Sequence, residues 1–269
     1  MTRKMAPISA FVICKDEVSS LGFCLESLDI CREIVVVDSG STDGTLDLIE
    51  SYRARGLPIR LIKREWPGYA KQKQFALEQA TGPWCLSLDA DERLDDEARQ
   101  MILSLPLDET DRFGYALRRK NHLYGYGFPP DLVHAKGITR LFRKSRAHYD
   151  LSLLVHEALI HDGPIRTLKR GSILHHHHAS LEERLAKNED YSSLKARERI
   201  ARGRTSGPFK LLLNPLGRFL KIYLLQRYFI CGTPGLVNAL LHAHYTLLTE
   251  LKILWPQLQA GRRSKPDAR

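Results

Sequence analysis

The stretch Trp84-Cys85-Leu86-Ser87-Leu88-Asp89-Ala90-Asp91-Glu92 joins a short apolar run to three carboxylates. The apolar part follows the turn signal Thr81-Gly82-Pro83, and its length and composition predict a buried strand. Alternate residues of a strand point to the same side, so Asp89 and Asp91 can converge on one cation. Oxygen ligands suit Mg²⁺ or Mn²⁺, and Mg²⁺ typically joins one or two carboxylates to substrate phosphates. The alternative is an acidic strand-to-helix turn without a metal.

The residues around this stretch alternate between strand and helix patterns. Strand patterns cover 8–14, 34–37, 59–62 and 84–88, and helix patterns cover 18–28, 45–55 and 70–79. Strands that are apolar on both faces and joined by helical crossovers predict an α/β fold with a mostly parallel sheet covered on both sides. In such sheets ligands bind beyond the carboxyl ends of the strands.

Three acidic clusters are predicted to meet at that edge of the sheet. They lie at 15–17, 38–44 and 89–92, each directly after a strand pattern. Asp38 is expected at a strand tip, where its carboxylate can accept hydrogen bonds from a ribose hydroxyl or a base N–H. The acidic residues 95–97 are predicted instead to cap the next helix. The chain has neither a Gly-x-Gly-x-x-Gly nor a P-loop pattern, which disfavours a nicotinamide Rossmann site and a P-loop site.

Composition and charge limit the classes of protein and partner. The 269 residues suffice for one large α/β domain or one domain with an appendage. The net charge of +10 favours anionic partners. The five cysteines form no Cys-x-x-Cys pair, which favours a reducing compartment. The first residues lack a signal-peptide cleavage pattern, so we expect a cytoplasmic protein.

Two motifs carry a family resemblance. The stretches Ile34-Val35-Val36-Val37-Asp38-Ser39-Gly40-Ser41-Thr42-Asp43-Gly44-Thr45 and Leu86-Ser87-Leu88-Asp89-Ala90-Asp91-Glu92 resemble glycosyltransferase family 2, whose fold is the nucleotide-sugar-binding GT-A fold. Further stretches, at 66–76, 141–144, 154–157 and 180–183, are similar to the bacterial subgroup that includes lipopolysaccharide-core β-1,4-glucosyltransferases. The resemblance covers about residues 8 to 255.

The resemblance implies a nucleotide-sugar donor, most simply UDP-linked, and a divalent metal, Mg²⁺ or Mn²⁺. By this resemblance Asp38 contacts the uridine, and Glu17 lies near the base or ribose. Asp89 helps to hold the donor, and Asp91 is the main metal ligand. Lys73 approaches the diphosphate or uridine, and the alternative for Lys73 is a solvated helix face.

The resemblance also implies the reaction, which is inverting transfer of one hexose. The donor expected is UDP-glucose, and the acceptor is a lipopolysaccharide inner core or another lipid-linked saccharide. Glu157 is the candidate base for the acceptor hydroxyl and Asp131 the second candidate, and the alternative for either is an exposed loop charge. The absence of Gln-x-x-Arg-Trp favours addition of a single sugar over a polymer.

His175 opens a run of four histidines. It matches a histidine position of the subgroup and is a candidate for the metal or diphosphate shell. The alternative is a surface cluster that binds metals adventitiously.

Two other classes of function remain possible from the sequence. A sugar-phosphate nucleotidylyltransferase shares the sheet and the metal, but residues 9–17 lack its early glycine-rich loop. A nucleic-acid-binding protein would use the basic charge. We expect no nucleic-acid partner, because the basic residues are dispersed and form no aromatic-basic platform.

The composition changes after residue 205. We predict a catalytic domain over 1–205, with a nucleotide-sugar half to about 95 and an acceptor half from about 96. Ser180 and Glu183 form a capping box that begins a helix within it. An amphipathic helical region follows over 206–256, with a helix start at Asn214 and Pro215, and a disordered basic tail over 257–269.

The helical region has basic residues beside apolar ones and no 18 uncharged residues in a row. This pattern disfavours a membrane-spanning helix and favours peripheral association with the anionic inner face of the cytoplasmic membrane. A helical hairpin packed on the catalytic domain, or a dimer interface, is the alternative.

Overall fold

The computed structural model describes residues 5–133, 137–151, 158–176 and 180–263. The strands are β1 (Ala6–Cys14), β2 (Cys31–Asp38), β3 (Ile59–Lys63), β4 (Trp84–Ser87), β5 (Glu92–Leu94), β6 (Gly114–Asn121), β7 (Gly137–Arg143), β8 (Ala147–Tyr149), β9 (Leu159–His161) and β10 (Ile165–His175). The helices are α1 (Leu21–Ser27), α2 (Thr45–Ala54), α3 (Tyr69–Gln79), α4 (Asp96–Leu103), α5 (Leu181–Ala201), α6 (Pro208–Leu220) and α7 (Gly232–Arg263).

Eight strands form one mostly parallel sheet, in the order β3-β2-β1-β4-β7-β6-β10-β5. The first four along the chain pair in parallel, and the later β6 and β10 also pair in parallel. Within the described part of this eight-stranded sheet, only β7 and β5 pair antiparallel to their neighbours. Strands β8 and β9 form a separate small antiparallel sheet. The predicted α/β fold is therefore confirmed.

Both faces of the sheet are buried, as the apolar strand patterns predict. Within β1, Ala10 and Val12 join one core, which includes apolar residues of α1, α2 and α4. The intervening Phe11 and Ile13 join the other core, beneath α3. All five cysteines are buried and form no disulfide. The acidic residues at 95–97 cap α4, and the Asp95 carboxylate accepts a hydrogen bond from the Ala98 N–H at 2.7 Å.

The described residues divide into two compact units. The sheet unit contains the residues up to Asn121 and those from 137 to 176, and the helical unit contains 122–133 and everything from 180 onward. The sequence places the boundary at 205, but α5 groups with α6 and α7. Leu123 and Val133 also join the core of the helical unit, with Ile222 and Ala239.

Three details of the helical unit bear on the sequence predictions. The capping box of Ser180 is present at the start of α5. The predicted helix start at Asn214 is wrong, because α6 runs unbroken through Pro215. Proline inside a helix costs about 3 kcal/mol, and packing along α7 offsets this cost, since Asn214 donates to the Glu250 carboxylate at 2.9 Å. Residues 257–263, predicted as part of the tail, lie within α7.

Candidate active site

Asp38 ends β2 at the carboxyl edge of the sheet, where the sequence places it. It is fully buried, and one carboxylate oxygen accepts hydrogen bonds from the N–H groups of Gly40 at 2.9 Å and Ser41 at 3.1 Å. The other oxygen accepts the Ser41 hydroxyl. Gly40 has φ +86°, a conformation that glycine adopts without strain. Asp38 therefore shapes the loop that follows it, as well as lying at the predicted ligand edge.

The loop after β1 is fastened to the loop after β2. The Asp16 carboxylate accepts the Thr42 N–H at 2.7 Å, and the Ser41 hydroxyl accepts the Asp16 N–H at 2.9 Å. The Glu17 N–H donates to the Thr45 hydroxyl at 2.8 Å. Asp16 has φ +54°, an uncommon value for a residue other than glycine. Two of the three acidic clusters are thus connected by direct contacts.

Asp89 lies between two cations. Lys73 Nζ is 2.6 Å from one carboxylate oxygen, and a guanidinium nitrogen of Arg140 is 2.7 Å from the other. Lys73 is buried with only 2% of its surface exposed, so the alternative of a solvated helix face is wrong for this residue. Burial opposes ionisation of Asp89, but Arg140 and Lys73 outweigh it and hold the pKa of Asp89 well below its usual range.

Glu92 and Arg140 are functional candidates that the sequence analysis missed. Arg140 lies on β7 and meets the Glu92 carboxylate at 2.7 Å, and Arg119 on β6 meets it at 3.1 Å. The Glu92 side chain is completely buried. Its carboxylate also accepts the N–H of Asp89 at 3.2 Å. Arg140 therefore fixes both Asp89 and the turn that leads to Asp91.

Asp91 is held by a different partner from Asp89. His175 Nε2 lies 2.9 Å from an Asp91 carboxylate oxygen, and this contact joins the start of β5 to the end of β10. Burial opposes ionisation of Asp91, but the His175 hydrogen bond outweighs it and lowers the pKa of Asp91. The strand alternation that predicts convergence of Asp89 and Asp91 on one cation does not apply, because both follow the end of β4 and Asp91 lies in a turn.

The metal-ligating side chains at this edge suit a cation that takes most of its ligands from a substrate. One carboxylate and one imidazole, Asp91 and His175, meet at the edge of the sheet. Among the described residues there is no group of three His, Cys, Asp or Glu side chains that could hold a metal ion. Mg²⁺ commonly binds through one or two carboxylates together with substrate phosphates. The residues present therefore fit a divalent ion bound together with a diphosphate.

Neither candidate base is among the described residues of the sheet unit. Glu157 lies outside the described residues. Asp131 is an exposed residue of the helical unit, which does not include the sheet.

Comparison with known proteins identifies the family. The model of glycosyl transferase family 2 matches residues 9–149 of this chain, which include most of β1, all of β2 to β8, and the acidic residues Asp38, Asp89 and Asp91. The chain belongs to glycosyltransferase family 2. It is 41% identical over 262 residues to the lipopolysaccharide core biosynthesis glycosyltransferase LpsC of Rhizobium meliloti, and the match covers 97% of each chain. The protein is a glycosyltransferase, as the sequence motifs predict.

Solved structures with the same fold are GT-A glycosyltransferases. The mannosyltransferase PcManGT of Pyrobaculum calidifontis, solved with GDP-Man and Mn²⁺, superposes with a TM-score of 0.56 at 15% identity, covering 94% of this chain and 88% of that one. TarS of Staphylococcus aureus, solved with UDP-GlcNAc, superposes with a TM-score of 0.52 at 16% identity, covering 94% and 92%. At these identities the likeness establishes the GT-A fold of family 2 and no donor.

Proposed function

We propose that this family 2 enzyme transfers a single sugar, most simply glucose from UDP-glucose, with inversion. The acceptor proposed is a lipopolysaccharide inner core or another lipid-linked saccharide. The observation that carries the proposal is the acidic edge formed by Asp38, Asp89 and Asp91 at the carboxyl ends of the strands. The likeness to LpsC, whose name gives lipopolysaccharide core biosynthesis, supports the acceptor class.

In this proposal the donor lies along that edge. Asp38 and Glu17, on the two loops that are fastened together, contact the nucleoside. Lys73 is the cation nearest to the diphosphate, and its ion pair with Asp89 fixes the position of its ammonium group. A preformed contact of this kind lowers the cost of ordering these groups when the donor binds.

Asp91 and His175 hold the divalent cation in this proposal, and donor phosphates complete its shell. When bound there, the cation supplies neutralisation of the charge that develops on the departing diphosphate. Lys73 and Arg140 already balance the charge of Asp89. We therefore expect Asp89 to position the donor through these partners and not to bind the cation. Asp91 is therefore assigned as the metal-ligating carboxylate and Asp89 as a donor-positioning one.

The acceptor hydroxyl attacks the anomeric carbon from the face opposite the diphosphate, which inverts the configuration. The proton of that hydroxyl passes to a carboxylate acting as general base. Glu157 is proposed for this role from the family resemblance, and Asp131 is the second candidate. The bond to the departing diphosphate breaks as the new glycosidic bond forms.

Titration calorimetry tests the donor and the metal. UDP-glucose, UDP-galactose and UDP-N-acetylglucosamine are each titrated into wild type, Asp91→Asn and Asp96→Asn, with and without Mn²⁺. Asp96 is the matched control, because its exposed side chain lies five residues away in the same acidic segment. Metal-dependent binding of one donor that is lost only in Asp91→Asn supports the proposal. Equal binding by all three proteins, with or without metal, contradicts the role of Asp91.

We also propose that the enzyme associates with the anionic inner face of the cytoplasmic membrane through α6. Five apolar residues of this helix are exposed and form a stripe: Phe209, Leu212, Leu213, Leu216 and Leu220. The helix also contacts the rest of the helical unit, since Phe219 packs against its apolar core and Asn214 donates to the buried Glu250. An ordinary surface helix turns its apolar stripe inward, whereas this stripe is exposed.

Charge supports an anionic surface as the partner of this stripe. Residues 208–231 contain four basic residues and no acidic one. A helix with an exposed apolar face and flanking basic residues has the character of an interfacial helix. Within the described residues, no helix is long and apolar enough to cross a membrane. The proposed association is therefore peripheral.

Vesicle sedimentation tests this surface. We expect wild type to bind vesicles that contain phosphatidylglycerol. Leu212→Gln/Leu216→Gln should bind at least about tenfold more weakly, because full burial of a leucine side chain in the membrane contributes roughly 1.5–3 kcal/mol to binding and the variant loses two such side chains. Leu194→Gln, an exposed leucine of α5, is the control. Unchanged vesicle binding by the double variant, with loss of a concentration-dependent dimer, would assign the stripe to self-association instead.

A further inference from the structure

Helix α1 is tied to the turn that follows β4. The Cys24 thiol donates to the carbonyl of Asp89 at 3.6 Å, and the N–H of Leu94 donates to the Ser27 hydroxyl at 3.1 Å. These contacts hold α1 against β5, which is an edge strand of the sheet. Phe23 belongs to the same helix and is 48% exposed, so a large part of its ring lies at the surface.

Two side chains from the sheet edge meet the Phe23 ring. The imidazole of His176 stacks on it, with the ring centroids 5.9 Å apart and the planes 19° from parallel. The guanidinium carbon of Arg93 lies 5.7 Å from the ring centroid, which is within the range of a cation–π contact. We call Phe23, Arg93 and His176 the aromatic platform.

The aromatic platform is adjacent to the candidate metal ligands. Arg93 follows Asp91 by two residues, and His176 follows His175 directly. The His176 N–H donates to the carbonyl of Asp91 at 2.9 Å, and His175 Nε2 lies 2.9 Å from the carboxylate of the same residue. A ligand held on the platform would therefore lie next to the edge of the sheet that is proposed to hold the donor.

Arg93 carries a charge that no carboxylate compensates within the described part of the chain. Its guanidinium makes no ion pair and no hydrogen bond there, and its Nε atom is buried without a partner. Neighbouring arginines differ, since Arg119 and Arg140 both meet Glu92. A guanidinium presents paired N–H groups that match the oxygens of a carboxylate or a phosphate.

We propose that the aromatic platform binds an acidic sugar unit of the acceptor, one that carries a carboxylate or a phosphate. The face of an aromatic ring is electronegative and attracts the polarised C–H groups of a pyranose, and Phe23 offers such a surface. Arg93 binds the acidic group, and His176 fixes the orientation of the Phe23 ring by stacking on it. This assignment rests on the proposed saccharide acceptor and is independent of the proposed donor.

Saturation-transfer NMR on the full chain tests the platform with glucose, glucuronate and glucose 6-phosphate. The titrations contain no divalent cation, so that a metal at Asp91 cannot attract the acidic groups. The variants are Arg93→Gln, Phe23→Leu, which removes the aromatic ring, and Phe23→Tyr, which keeps it. Arg166→Gln is the matched control, because it removes an exposed arginine from β10, the strand that pairs with β5. Thermal melting of each variant is the folding control.

We expect wild type to bind at least one acidic sugar more tightly than glucose, and the tighter of the two identifies the acidic group. Arg93→Gln should weaken this binding about tenfold and leave glucose binding unchanged, because only charge-assisted hydrogen bonds are lost. Phe23→Leu should weaken the binding of all three sugars about three- to tenfold, and Phe23→Tyr should retain it. Arg166→Gln should behave as wild type.

Calorimetry with UDP-glucose and Mn²⁺ on the same proteins separates the platform from the donor site. If wild type binds acidic sugars in the expected pattern but no UDP-glucose, the platform stands and the proposed donor fails. If it binds UDP-glucose but no acidic sugar, the donor stands and the platform is overturned. Equal sugar binding by wild type and Arg93→Gln also overturns it, as does a loss of UDP-glucose binding in Arg93→Gln, which would assign the guanidinium to the donor.

Discussion

Replacing Arg140 with methionine should destabilise the sheet unit by about 3 kcal/mol. The change removes the guanidinium that meets Asp89 and Glu92, each at 2.7 Å, and leaves the fully buried Glu92 carboxylate with Arg119 alone. Breaking a buried ion pair by removing one partner costs about 3–5 kcal/mol. The lower end applies here, because Arg119 and Lys73 each keep one contact with the orphaned carboxylates.

The loss should be visible in thermal unfolding followed by circular dichroism. At about 2–4 °C per kcal/mol for a chain of this size, the melting temperature should fall by roughly 6–12 °C. The control is Arg146→Met, which breaks the exposed pair with Asp162 and should cost less than about 1 kcal/mol. The double variant Glu92→Leu/Arg140→Met removes both charges and should recover most of the loss.

The pH dependence gives a second readout on the same variant. A carboxyl whose pKa is lowered by folding contributes stability above its unfolded pKa and loses it as the pH falls through its folded pKa. Arg140 is the main attractive partner that lowers the pKa of Asp89. The deficit of Arg140→Met should therefore be largest near pH 7 and shrink as the pH falls below about 4. A wild-type melting temperature, or a deficit that grows in acid, would refute the reasoning.

Two further predictions concern a tight packing site and the general base. Gly171→Ala should cost about 2–5 kcal/mol, because the new Cβ would lie 2.4 Å from backbone atoms of Ala98 and the residue has φ +77°. Gly56→Ala, at φ +90° with no atom within 4 Å, is the control measured by the same urea unfolding and should cost much less. Glu157→Gln should lower kcat by about 10²–10⁴-fold without weakening donor binding, while Asp131→Asn stays active. The opposite pattern assigns the base to Asp131, and two fully active variants refute both assignments.

The parallel half of the sheet could be predicted because each of its strands has a recognisable local sequence pattern. Residues such as Val35, Val36 and Val37 are β-branched, contiguous and bounded by turn signals, and they are buried on both faces of β2. The carboxyl edge then follows from topology, since parallel strands end on one side. For this reason Asp38, Asp89 and Asp91 could be assigned to one edge before any coordinates.

The cationic side chains that balance the charge of those carboxylates could not be predicted in the same way. Arg140 lies 51 residues from Asp89 along the chain and on an antiparallel strand, and nothing in its local sequence distinguishes it from other arginines. The alternation argument for Asp89 and Asp91 failed because it assumed an extended backbone where the chain turns. The helix start at Asn214 failed because packing against α7 overrode a local signal from proline. In each case tertiary contacts decided what the local sequence could not.

A net charge of +10 favours anionic partners but does not distinguish a nucleotide diphosphate from an anionic surface. The location of the positive charge in the chain does distinguish them. At the acidic edge, Asp89 and Glu92 are balanced by Lys73, Arg140 and Arg119, so the edge holds little uncompensated positive charge. Residues 180–263, in contrast, contain fourteen basic residues against six acidic ones. The excess positive charge therefore belongs to the helical unit, as does the exposed apolar stripe of α6. We propose that this charge serves an anionic membrane surface, whereas binding of the nucleotide-sugar donor would depend on the short, fixed contacts of the acidic edge.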